Sequence, residues 1–292
     1  VTHPFHIVDV FAEAPWTGNP LAVVLDAGDL SGEAMQRIAL EMNYSETTFV
    51  TGPDSGSGFP VRIFTPAQEL PFAGHPTVGT AWVLRRELAA ERAAGVTLCL
   101  GVGSVPVRFE EDPAGDVVWL EAPPVTLGAR CSGADVADAL GLEVGDLDAK
   151  APVQAADAGI RFTLVPLRSL DALRRAEFDP VAFEPLVARG LPPFVYLFCN
   201  EGRRPADDLS ARMFFDANGI REDPATGSAT ACLGAYLMEY GVCGEPPLGL
   251  RIGQGDEMRR PSTLFLRAER RNGTSRIQVG GRVVPAMEGT LL

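Results

Sequence analysis

Residues 221–237 read REDPATGSATACLGAYL, two acidic residues before a proline and then small residues running into an apolar stretch. Nearly the same pattern stands upstream, where residues 74–84 read GHPTVGTAWVL. His75-Pro76-Thr77-Val78-Gly79-Thr80-Ala81 lies position for position against Asp223-Pro224-Ala225-Thr226-Gly227-Ser228-Ala229, with 148 residues separating position 75 from position 223. That is about half the chain, so a duplicated architecture is expected.

The surrounding order repeats as well. A helical stretch from Ser31 to Met42 leads to a strand-like run from Thr47 to Val50, a turn rich in Gly, Ser and Pro, a second strand from Val61 to Phe64, and the His-Pro helix. In the second half a helical stretch from Pro180 to Ala188 leads to a strand from Phe194 to Phe198, a polar loop, a strand from Ala211 to Phe214, and the Asp-Pro helix. Arg62-Ile63-Phe64 against Arg212-Met213-Phe214 is a second matched element, and short strands in a meander follow each helix. Proline ends a strand run at Glu121-Ala122-Pro123-Pro124. The expected domains are therefore residues 1–121 and 122–292, with the last ten or so residues packing back on the first half.

The 292 residues are 46% hydrophobic and 22% charged, an ordinary globular composition with enough apolar material for two cores. A net charge of -13 repels polyanions, and the five Arg-Arg pairs are isolated, so nucleic acid is not an expected partner. Five widely spaced cysteines, an odd count without CxxC, suggest neither a disulfide framework nor a zinc site and fit a reducing cytoplasm. No apolar run approaches the roughly 18 residues that cross a bilayer, so no membrane partner is expected. The opening run from His6 to Phe11 reads as a strand rather than a secretory signal, and without one the acceptor triplet Asn272-Gly273-Thr274 carries little.

Asp223-Pro224 reads as a helix start, because Asp caps free backbone N–H groups and Pro at the first helical position has none to lose. The helix that follows is apolar nearly all round and should be buried. Its N-terminus then needs an internal cap or an anion, and the small residues Gly227 and Ser228 let a ligand approach the backbone. His75, one of three histidines and a poor cap, holds the matching place upstream. Two halves packed about a pseudo-two-fold axis would face these helix starts across a cleft, a site suited to a substrate carboxylate and proton transfer beside it. Glu46 lies between a helix and a strand, whereas the corresponding Pro192-Pro193-Phe194-Val195 has no acid. That asymmetry suggests one principal base. Gly101-Val102-Gly103 lacks the third glycine of a dinucleotide loop, and no P-loop, GxSxG or HExxH is present. His3 and His6 read as strand-edge polar residues rather than metal ligands.

Gly18-Asn19-Pro20-Leu21-Ala22-Val23, Ser45-Glu46-Thr47-Thr48-Phe49, Phe72-Ala73-Gly74-His75-Pro76-Thr77 and Glu222-Asp223-Pro224-Ala225-Thr226-Gly227-Ser228-Ala229 resemble the phenazine-biosynthesis PhzF-like family over essentially the whole chain. The resemblance implies an α/β (α+β) diaminopimelate epimerase-like fold, with two pseudo-symmetric halves that each wrap a mixed sheet around a central helix. It implies a homodimeric isomerase without metal or organic cofactor, whose best-known activity is isomerisation of a dihydro-hydroxyanthranilate. Glu46 matches the family's general acid-base glutamate, His75 and Asp223 the residues flanking the substrate, and Gly74 and Ser228 positions lining the pocket.

Epimerases of this fold that use a cysteine pair carry one thiol at each helix start, where this chain has His75 and Asp223. A one-base proton shift by Glu46 on a small carboxylate or cyclic amino-acid-like substrate fits better, and would call for a partly apolar pocket that raises the carboxyl pKa toward working pH. Two other readings stand beside it. One is an amino-acid racemase, epimerase or dehydratase using His75 and Asp223; the other is a non-catalytic metabolite-binding protein.

Overall fold

A computed structural model describes residues 2–88, 93–217, 220–271 and 273–292; Asn272 of the acceptor triplet lies outside them. The chain forms two compact units, Val1–Glu121 with Gly280–Leu292, and Ala122–Val279. Among the described residues no helix is long and apolar enough to cross a membrane.

In the first unit, β1 (His3–Val10) runs antiparallel to β2 (Asn19–Val24) on one side and to the C-terminal strand Val283–Leu291 on the other. His3 and His6 therefore occupy an interior strand and are buried, not at an edge. α1 (Gly32–Met42) is started by the Ser31 side chain, which accepts from the Ala34 N–H, and is closed by Asn43 in the left-handed conformation. Its spacing puts Met35 and Ala39 on one face, against Val24, Phe49 and Phe64. This crossover delivers β3 (Thr47–Val50) parallel to β2. β4 (Phe59–Phe64) pairs antiparallel with β3, and the short β5 (Glu69–Leu70) with β4. α2 (Gly74–Glu87) then returns the chain to β6 (Gly95–Leu100), parallel to β4, from which β7 (Gly103–Glu110) and β8 (Val117–Glu121) continue as a meander. The strands curl around α2, whose residues 75–81 are all buried. Gly79 permits that closeness, since a Cβ there would lie 2.6 Å from Leu21 Cδ2 and 2.7 Å from Val10 Cγ2.

The second unit repeats this plan. β9 (Thr126–Arg130) pairs antiparallel with β10 (Gln154–Asp157), α3 (Gly133–Ala139) lying between them in sequence. β11 (Arg161–Leu167) follows, antiparallel to β10. α4 (Leu170–Arg175) and α5 (Pro180–Ala188) form the crossover to β12 (Phe194–Cys199), parallel to β11. β13 (Leu209–Ala217) and β14 (Ile220–Asp223) pair antiparallel, α6 (Gly227–Tyr240) follows, and β15 (Leu248–Gln254) lies parallel to β13. β16 (Ser262–Arg271) pairs with β15 and is followed by β17 (Thr274–Gly281). α6 packs on β9, β10, β11 and β16 and, apart from Ser228, Ala235, Glu239 and Tyr240, is buried along its length.

Strand register corrects the equivalence drawn from the sequence. Ile63 and Phe64 face Leu70 and Glu69 in the first unit, and Met213 and Phe214 face Asp223 and Glu222 in the second. Asp223 therefore takes the place of Leu70, and the two 14-residue helices superimpose Gly74 on Gly227 and His75 on Ser228. The bidentate ion pairs agree with this assignment: Arg62 grips Glu69 at 2.7 and 2.6 Å, and Arg212 grips Glu222 at 2.9 and 3.0 Å. Nor is Asp223 the cap of α6; it ends β14, and Thr226 is the N-cap. The physical reason is that proline is tolerated both in a helix's first turn and just ahead of it, where its missing N–H costs nothing. Pro76 lies inside α2 while Pro224 precedes α6, so matching the prolines slips the true alignment by five residues.

Candidate active site

Glu46 stands at the entry to β3, where α1 has just ended. The two-residue period of a strand puts Glu46 and Thr48 on one face, and that face looks at α2. Thr48 Oγ1 meets Thr80 Oγ1 at 2.8 Å, and one turn and more toward the helix start Glu46 Oε2 lies 3.4 Å from His75 Nδ1. The His75 side chain is 7% exposed and that of Glu46 16%. Two residues 29 apart in sequence thus share one enclosed spot at the beginning of the central helix.

Burial disfavours the charged imidazole and pushes the His75 pKa down to about 3, opposed by the nearby backbone carbonyl of Pro20. Enclosure outweighs that opposing contact. His75 Nε2 is buried and closes no well-directed hydrogen bond. At neutral pH this residue is an uncharged imidazole beside a carboxyl, a group that can donate one N–H and accept at the other nitrogen. The N-cap of α2 is Ala73, which has no side chain to offer the first-turn N–H groups. Gly74, the first helical residue, is partly buried and carries no side chain of its own.

The equivalent region of the second unit is built differently. Asp223 Oδ2 accepts from Thr226 Oγ1 at 2.5 Å, so the N-cap hydroxyl is turned back toward the acid and does not cap α6. Gln254 brackets the same turn: its Nε2 donates to the Asp223 carbonyl at 2.9 Å and to Thr226 Oγ1 at 3.0 Å, and its Oε1 accepts from the Thr226 N–H at 3.2 Å. Behind them Tyr196, fully buried, meets Thr230 Oγ1 at 3.1 Å; burial raises its phenol pKa and holds it protonated. Gly227 is buried and Ser228 half-buried at the start of the helix. In both units a threonine hydroxyl bonds back to the N-cap carbonyl, Thr77 to Ala73 at 2.7 Å and Thr230 to Thr226 at 3.0 Å.

The structure brings Glu46 and His75 together with Gly74 in the first unit, and Asp223 with Gly227 and Ser228 in the second. The sequence reading did not single out Thr226, Tyr196 or Gln254. A signal for the last was present in Gly253-Gln254-Gly255, a polar residue between two glycines at the end of an alternating strand. Cys232 lies in the second turn of α6, and burial raises its thiol pKa, so neither helix start presents a thiol. Among the described residues no group of three or more His, Cys, Asp or Glu is placed to hold a metal ion.

Two α/β units of one topology, each closing a mixed sheet on a single helix with polar residues at its start, define the diaminopimelate epimerase-like class of fold. The chain belongs to the phenazine biosynthesis-like protein (PhzC-PhzF) family, whose model matches residues 8–289. It is an enzyme of an isomerase family. A curated relative, trans-2,3-dihydro-3-hydroxyanthranilate isomerase of Pseudomonas fluorescens, is 37% identical, with 99% of each chain covered. Among solved structures, a PhzF-family phenazine biosynthesis protein of Bacillus anthracis matches with a TM-score of 0.92 at 28% identity, covering 100% of this chain and 99% of that one. A predicted epimerase of Pseudomonas aeruginosa matches with a TM-score of 0.84 at 33% identity, with 99% of each covered.

Proposed function

We propose that the protein is a cofactor-independent isomerase that shifts a proton between carbons of a small carboxylate or cyclic amino-acid-like substrate, with Glu46 as the single acid-base group. The observation that carries this reading is the enclosed contact between Glu46 and His75 at the start of α2, which no side chain caps. A carboxylate takes the proton from one carbon and, without exchanging it for another base, returns it to a second carbon on the same face. Neutral His75, 3.4 Å from the carboxyl, borders it as an uncharged polar neighbour rather than as a second base, because enclosure opposes its protonation. Asp223, Gly74, Gly227 and Ser228 bind the substrate, the helix-start N–H groups receiving its carboxylate. The 37% identity to a trans-2,3-dihydro-3-hydroxyanthranilate isomerase supports a cyclic amino acid of that kind as the first substrate to try.

The racemase or epimerase reading, with His75 and Asp223 as opposed bases, is less well supported. It needs two groups in matching places, and Asp223 takes the place of Leu70, not of His75. The test is proton NMR in deuterated water with a panel of small carboxylates including dihydro-hydroxyanthranilate. Rearrangement or deuterium uptake should fall by 10²-fold or more in Glu46→Gln, the usual range for loss of a general base, while ligand-induced shifts persist. Full activity in that variant removes the proposal, and binding without exchange for every compound favours a metabolite-binding protein. The family resemblance also implies a cytoplasmic homodimer, which light scattering of the purified chain checks for its oligomeric part.

A further inference from the structure

We propose that Gln254 is a positioning residue for Asp223: its side-chain amide, gripping both the Asp223 carbonyl and Thr226, dictates that the Thr226 hydroxyl points its hydrogen at the Asp223 carboxylate. The inference deepens the proposed function, resting on Asp223 as a substrate-binding residue of that site.

The argument is one of donors and acceptors. The Gln254 Nε2 group has two hydrogens, and both are used, one on the Asp223 carbonyl and one on Thr226 Oγ1. Its Oε1 meets the Thr226 N–H. Flipping the amide would set oxygen against the Asp223 carbonyl oxygen and NH₂ against an N–H, so the arrangement has one self-consistent orientation. Thr226 Oγ1, already accepting from Gln254, can give its own hydrogen only outward, and the atom 2.5 Å away is Asp223 Oδ2. The acid is thereby held as an acceptor in one rotamer by a residue 31 positions away in sequence.

Gln254 is itself fixed. It is 1% exposed, at the last position of β15, where it pairs with Ser262. On one side, a Cβ at Gly253 would lie 2.6 Å from Arg204 Nη2 and 2.7 Å from Asp207 Oδ2. Those two groups form an ion pair at 2.7 Å, and Arg204 also donates to the Ser262 carbonyl. On the other side Gly255 has φ +78, and a Cβ there would lie 2.5 Å from the carbonyl oxygens of Pro224 and Arg260. The strand end is thus pressed between an ion pair and the Asp223-Pro224 turn, with glycine at each point of closest approach. Such rigidity is more than a loop needs and is what a carboxylate needs to stay within tenths of an ångström of a substrate.

The test compares wild type with Gln254→Met, which keeps length and volume but removes both hydrogen-bonding groups, and with Thr226→Val, which removes only the hydroxyl. Crystal structures of the two variants should show the Asp223 carboxylate displaced or in more than one rotamer with the rest of the second unit unchanged. An Asp223 side chain that stays in place in both overturns the proposal, whatever the activity. With a substrate found by the deuterium assay, kcat/KM should fall by about 10- to 100-fold in each, the scale of a misplaced group near the chemistry. Thr226→Ser should recover most of the loss. In an Asp223→Asn background Gln254→Met should cost little more, because the residue acts through Asp223; a full additional loss there also overturns the proposal. If no compound turns over in a Glu46-dependent way, the proposed reaction fails while the crystallographic comparison still decides the role of Gln254.

Discussion

His75 links the candidate site to the stability of the whole protein. Its pKa falls from 6.5 in a solvated chain to about 3 in the fold, with burial the cause. A lowered folded-state value means that above about pH 6.5 the imidazole is neutral folded or unfolded and pH does not matter. Below that, the unfolded chain binds a proton that the folded protein refuses, and stability falls as pH drops from 6.5 toward 3. At pH 5.0 the gap from 6.5 is about 1.5 units, and at 1.36 kcal/mol per unit the loss is about 2 kcal/mol, a large share of a marginal stability. Urea unfolding of wild type and His75→Asn at pH 7.5 and 5.0 isolates this contribution, because the other titrating groups are common to both. Wild type should lose about 2 kcal/mol more than the variant on acidification. Equal losses would refute the reasoning. A wild type that gains on the variant would mean that imidazolium forms and pairs with Glu46, and His75 would then be an ion-pair partner rather than a neutral imidazole.

The duplicated arginine–glutamate pairs differ in burial and should differ in worth. Arg212→Met breaks a pair whose side chains are 9% and 13% exposed and should cost about 3–5 kcal/mol in chemical denaturation, since Glu222 is left enclosed without its cation. Arg62→Met breaks the same pair at 37% and 43% exposure and should cost roughly 0.2–1 kcal/mol; a comparable loss at both positions would contradict the argument. Gly79→Ala gains about 1 kcal/mol of helix propensity but drives a methyl into Leu21 and Val10, both fully buried, at about 1–3 kcal/mol. Net destabilisation is expected in urea unfolding, with a further drop in kcat as α2 shifts His75 away from Glu46, and a variant more stable than wild type would show that the helix can move freely.

Much of the local structure was legible because its causes are local. The α5 helix runs from Pro180 to Ala188 as the sequence suggested, since Asp179 caps it and Pro180 sits in its first turn, all within four residues. Strands β3 and β8 are likewise where alternating and β-branched runs put them. The short β14 was missed because one isoleucine followed by three charged residues carries no strand pattern of its own and is ordered by pairing with β13.

The sequence by itself determined that one α/β plan occurs twice and that the polar residues near the two central helices are the chemistry of interest, because motif spacing, helix caps and strand periodicity are written in neighbouring residues. The tertiary structure alone decided which residues are equivalents. A proline fits on either side of a helix start, and only the register of β4 with β5 and of β13 with β14 assigns Ser228, not Asp223, to the place of His75. It alone brought Glu46 to His75 and Gln254 to Asp223, across 29 and 31 residues. Such contacts depend on sheet order and crossover path, which are properties of the whole core and leave no mark at either residue.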